Sequence, residues 1–184
     1  MEIEAHLVEL ENSFVPARIA FEELVKELSC AEAHKQTHSE LENQINARGM
    51  EVMRLLLQGH LDARGPGESW VPVVNNGGKV LPYRREGGRA LESVFGTVWV
   101  NRIGYEGKGE GRLYPLDGEL NLPRERYSLG VRKRVASVAV KNSFDEAVIA
   151  VSATTGALPS DKQRNWSSVL GLTSKPSLPR NLPF

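Results

Sequence analysis

The apolar period of this chain changes at "RGPG", Arg64 to Gly67. Before that point apolar residues recur at helical spacing. After it they fall in short β-prone runs. Helices in one block and strands in the next predict an α+β fold.

The first block, residues 1–65, reads as a helical region. Pro16 suits a first helical turn, and Ile19, Leu24 and Leu28 recur along "PARIAFEELVKELS". Thr37 with Glu40 three residues on is a capping box that starts a second helix. Its apolar stripe is Leu41, Ile45, Val52, Met53, Leu56 and His60. Gly49 weakens the middle by about 1 kcal/mol relative to Ala. The stripe packs within the chain, or it pairs with the same helix of a second copy.

The second block, residues 66–123, predicts a small antiparallel sheet of three or four strands. "SWVPVVNNGGKVLPY" places two short runs around Asn-Asn-Gly-Gly, a good hairpin turn, with Pro72 and Pro82 confining them to edges. "RALESVFGTVWVNRIGYEG" reads as a strand pair bent at Gly96, "GKGEG" as a turn, and "RLYPL" as a last short strand. So small a sheet needs the helices beside it to be stable.

Residues 124–158 read as a basic helical hairpin. Ser128 caps a helix running to about Lys141, with Val131, Val135 and Val138 on one face. Ser143 with Glu146 makes another capping box, and "TTG", Thr154 to Gly156, is a stop. Ser160 is placed to cap a short third helix, which gives a helix-turn-helix plan in intact or degraded form. The rest of 159–184 has no period and is rich in Ser and Pro, so a disordered tail is expected.

Charge is divided unevenly between these blocks. Residues 1–65 carry 12 Asp/Glu against 6 Lys/Arg, and residues 66–184 carry 11 against 17. Arg124, Arg126, Arg132, Lys133, Arg134 and Lys141 crowd one stretch in which Glu125 is the only acid. On the helix from Ser128, Arg132, Lys133, Arg134 and Lys141 fan around the valine seam, which predicts that they do not pair with acids, and Arg124 and Arg126 just before are offset only by Glu125. Lys162 and Arg164 fall on the candidate third helix, where Arg can read base edges and Lys suits phosphate. Two readings follow: a solvated charged face, or a surface that meets the phosphates of DNA.

Other chemistry is weakly represented. Cys30, His34 and His38 stand at helical spacing for a metal, but Thr37 breaks the helix and no fourth ligand is evident, so no metal and no cofactor is expected. No nucleophile, base and orienting acid fall in a catalytic context. A single cysteine excludes an internal disulfide, no apolar run reaches the ~18 residues of a membrane span, and the N-terminus is acidic where a secretion signal is basic. The expected setting is cytoplasmic, with no membrane partner.

Four stretches carry a family resemblance. "LENQINARGMEVMRLLLQGHLDARG", "ALESVFGTVWVNRIGY", "LYPLDGELNLPRERYSLGVRKRVA" and "SFDEAVIAVSATTGA" resemble, in order and spacing, the N-terminal part of bacterial DDE transposases of the ISKra type. The likeness runs over roughly residues 37 to 163, and "LYPLDGELNLPRERYS" is its most specific piece. It implies an N-terminal module that binds the terminal inverted repeats of an insertion sequence. In the family an RNase-H-like domain further along cuts and joins DNA with three carboxylates and two Mg²⁺ ions. From "RNWSSVLGLTSKPSLPRNLPF" the resemblance stops. The expectation is a truncated or frameshifted copy that binds DNA and is not itself an enzyme. The competing expectation is a helical oligomerisation module that pairs with itself or inhibits full-length transposase.

Overall fold

A computed structural model describes residues 12–139 and 150–151. Helix α1, Val15–Leu28, carries Pro16 in its first turn as expected. A 3-10 turn at Ala33–Lys35 reverses the chain into α2, His38–Arg64. The capping box forms in full: Thr37 Oγ1 accepts the Glu40 N–H, and Glu40 Oε2 accepts the Thr37 N–H at 2.7 Å. Between the helices lie Ala17 and Leu24, both buried. Arg48 Nη2 to Glu27 Oε1 at 2.7 Å and Gln44 Nε2 to Glu27 Oε2 at 3.2 Å tie one flank.

The sheet has two strands, not three or four. Strand β1, Tyr83–Ser93, pairs antiparallel with β2, Gly96–Glu106, with Leu91 opposite Val98 and Arg89 opposite Val100. The bend falls at Gly96 as expected, at φ 125°, a conformation that excludes most side chains. The Asn-Asn-Gly-Gly turn also forms, but its flanks make only the single bridge Val74–Val80. Pro72 and Pro82 have no N–H to extend that ladder. "RLYPL" likewise makes one bridge, Tyr105–Leu113, because Pro115 starts the short helix α3, Pro115–Glu119.

The sheet is anchored on the helices by its outer edge. Gln58 of α2 exchanges two hydrogen bonds with the Trp99 backbone, at 2.8 and 3.0 Å, and the Ile103 N–H donates to Pro66 O at 2.9 Å. These cover an edge that would otherwise be open to pairing. Leu91, Val98 and Val100 form the central core with Leu116 of α3, backed by Leu57 and Leu61 of α2. Leu81, Ile103 and Tyr105 close a second cluster under the Val74–Val80 hairpin.

Helix α4, Leu129–Ala139, follows Ser128, whose Oγ accepts the Val131 N–H at 3.3 Å. The valine seam is buried as predicted: Val131 and Val135 pack with Tyr127 and Val151, and Val138 packs against them. Ala150 and Val151 are helical. The remainder of the expected second helix of the hairpin, the third helix and the tail lie outside the described residues. Among the described residues no helix is long and apolar enough to cross a membrane.

Candidate nucleic-acid interface

The basic stretch begins in a loop held from two sides by β1. Arg89 stands in the same alternating phase as Leu91, so its side chain lies on the core face of the sheet. Its guanidinium donates to the carbonyls of Pro123, Arg124 (2.9 Å) and Glu125 (3.3 Å). These acceptors are neutral. Burial pushes the Arg89 pKa down, Asp117 pulls it back, and Arg102 adds to the depression. Three carbonyls on one planar donor fix the backbone from which the Arg124 side chain projects.

Arg126 faces the other way and is part of the fold. Its Nε and Nη2 both donate to Glu92 Oε1, at 2.9 and 2.6 Å. The Glu92 side chain is only 2% exposed, and its second oxygen accepts from Thr97 Oγ1. The backbones are joined as well: Glu92 N–H donates to Arg126 O and Ser128 N–H donates to Glu92 O. Arg132 also meets an acid, with Nη1 at 3.1 Å from Glu125 Oε2. The expectation that the helix cations avoid pairing with acids is thus corrected for Arg132. Glu125 was read as the only offset to this stretch, but the partner of Arg126 is a carboxylate on β1, 34 residues away.

Arg124 and Lys133 are different. Both are exposed, and neither has an ion pair among the described residues. Arg134 is exposed on α4 and engaged in a further interaction. Lys141, Lys162 and Arg164 lie outside the described residues.

Arg124 also lines a cleft of about 890 Å³ together with Arg89, Arg102 and Arg112. Arg102 pairs with Asp117 and stacks over the Tyr114 ring at 3.8 Å. Arg112 places Nε and Nη2 on Glu106 Oε2, at 2.9 and 2.7 Å. Gly104 makes room for it: a Cβ there would come within 2.4 Å of Arg112 Cδ. In this wall Arg102 and Arg112 are matched by carboxylates, whereas Arg89 and Arg124 are not. Sequence reasoning missed Arg89, Arg102 and Arg112. The available signal was phase, since Arg89 and Arg102 fall in step with Leu91, Val98 and Val100 and so belong to the inward face.

Elsewhere the candidate metal ligands are apart in role. Cys30 Sγ donates to Glu27 O, His34 lies in the 3-10 turn, and His38 Nδ1 faces Glu42 Oε2 at 3.5 Å. Among the described residues no group of three or more His, Cys, Asp or Glu side chains could hold a metal ion.

No family model matches the sequence, no curated protein matches it, and no solved structure matches the fold.

Proposed function

We propose that this chain binds duplex DNA through phosphate contacts, as the repeat-binding region of an insertion-sequence transposase of the ISKra type. The observation that supports this most is the clamped loop before α4. Arg89 holds the carbonyls of Pro123, Arg124 and Glu125, and Arg126 is locked on Glu92, which leaves the Arg124 guanidinium outward and unpaired among the described residues. Lys133 stands exposed and without an ion pair on the helix that follows. A cation on a rigid backbone loses little entropy on meeting a phosphate, so such positions suit backbone contact. The resemblance of "LYPLDGELNLPRERYSLGVRKRVA" to the family's N-terminal part covers the same loop and helix.

Phosphate contacts position a protein on DNA and carry no base information. The described cations therefore supply affinity for any duplex, and a preference for the inverted repeat arises elsewhere in the chain. The test is equilibrium binding of the full chain to one inverted-repeat duplex and one scrambled duplex over a range of salt. The reading expects both to bind, with affinity falling as salt rises. Failure to bind either duplex at low salt would end it.

A further inference from the structure

Helix α2 has two of its sides occupied among the described residues. One meets α1, through Leu24 and Ala17 and through the hydrogen bonds of Gln44 and Arg48 to Glu27. The other faces the sheet through Leu57, Gln58 and Leu61. The remaining side carries Ile45, Met53 and Leu56, continued by Phe21 and Val25 of α1, all between 39% and 56% exposed. By helical geometry these five share the flank of the hairpin opposite the Arg48–Glu27 pair. Gly49 sits in the middle of this flank, and a Cβ built there meets nothing within 4 Å. Nothing among the described residues therefore accounts for a glycine in mid-helix.

The order of residues along the flank is self-complementary. About a twofold axis level with Glu51, the midpoint of α2, an antiparallel second copy sets Met53 over Gly49 and Ile45 beside Leu56. It also sets Glu42 beside His60, and both are exposed. Long thus meets small, apolar meets apolar, and an acceptor meets an imidazole donor, each twice. Other spacings along the helix lose one or more of these matches.

We propose that two copies of this chain pair through this flank, α2 against antiparallel α2, forming a four-helix bundle with the two α1 helices on its outside. Gly49, about half a turn from the axis, leaves the hole that takes Met53 of the other copy. The inference stands independently of DNA binding.

Sedimentation equilibrium on the intact chain tests the pairing, and a dimer is expected. Its register is tested in a Cys30→Ser background carrying Ile45→Cys and Leu56→Cys together. Oxidation should give a covalent dimer from the double variant, while either single variant, whose own cysteines would lie about 15 Å or more apart, should not. Gly49→Leu should keep or raise helix content and weaken the dimer about tenfold or more by filling the space that Met53 of the other copy takes. A chain that sediments as a monomer overturns the proposal and leaves the flank to residues 1–11 or to a different protein. A dimer that the double variant does not cross-link, or that Gly49→Leu leaves unchanged, overturns it too.

Discussion

Replacing Arg126 with Gln separates a cation that holds the fold from the cations proposed to meet phosphate. In the folded protein Glu92 is almost fully buried and takes two donors from Arg126 on one oxygen, with a hydroxyl from Thr97 on the other. Removing the guanidinium leaves a buried carboxylate with one strong partner fewer. Breaking a buried pair from one side costs roughly 3–5 kcal/mol. Arg126 itself is 54% exposed, so water reaches part of the gap, and about 2–3 kcal/mol is the expected loss. The double change Glu92→Gln with Arg126→Gln removes the stranded charge and should recover about 1 kcal/mol or more of that. Urea unfolding reads both as a lower midpoint at unchanged slope. The folded fraction of Arg126→Gln should bind duplex DNA with the wild-type salt dependence. If Arg126→Gln were instead within about 0.5 kcal/mol of wild type and showed a shallower salt dependence, Arg126 would belong to the phosphate surface and the clamp argument would fail.

Other expectations follow from single positions. Thr37→Ala should cost about 1 kcal/mol by removing the cap of α2, seen as a drop in unfolding midpoint and faster amide exchange in its first turn. Leu116→Ala, at a fully buried side chain, should cost about 2–5 kcal/mol in urea unfolding. Gly104→Val should destabilise by about 1–3 kcal/mol, because Arg112 and Tyr114 already occupy the space a Cβ needs, and a neutral result would refute that packing. Glu106 and Glu110 are held below the ordinary carboxylate range, chiefly by hydrogen bonds from Arg112 and from Lys79. A depressed folded-state value means their support is complete above the unfolded value, near about 4.3, and fades as pH falls through the folded one. Acid titration of stability should therefore fall less steeply in Glu106→Gln than in wild type, and equal slopes would contradict the Arg112 contact.

The start of α2 was legible to the residue because a capping box is a local code, complete within four residues. The valine seam of α4 was legible for a similar reason, since one helical period places it. Strand β1 was read too short: its first half, "YRREGG", has two glycines and three charges, and only the pairing with β2 makes it a strand. The third and fourth strands were over-read, since β-prone residues beside Pro72, Pro82 and Pro115 support one bridge each and no ladder. Within the candidate site, the basic stretch and its helix were visible, but the partners of its arginines were not. Glu92 lies 34 residues before Arg126, and no local pattern announces that contact. Arg89 had no role assigned from the sequence, and only its register beside Val100 puts it on the inward face.

The proposed DNA binding rests on Arg124 and Lys133 meeting phosphate, and its salt dependence measures that directly. Each phosphate contact contributes about 0.9 to the slope of log affinity against log salt. Arg124→Gln with Lys133→Gln should keep stability within about 0.5 kcal/mol per site and lower that slope by about 1.8, alike on the inverted-repeat and the scrambled duplex. A double variant that binds with the wild-type slope would contradict the account and leave the stretch as a solvated helical face.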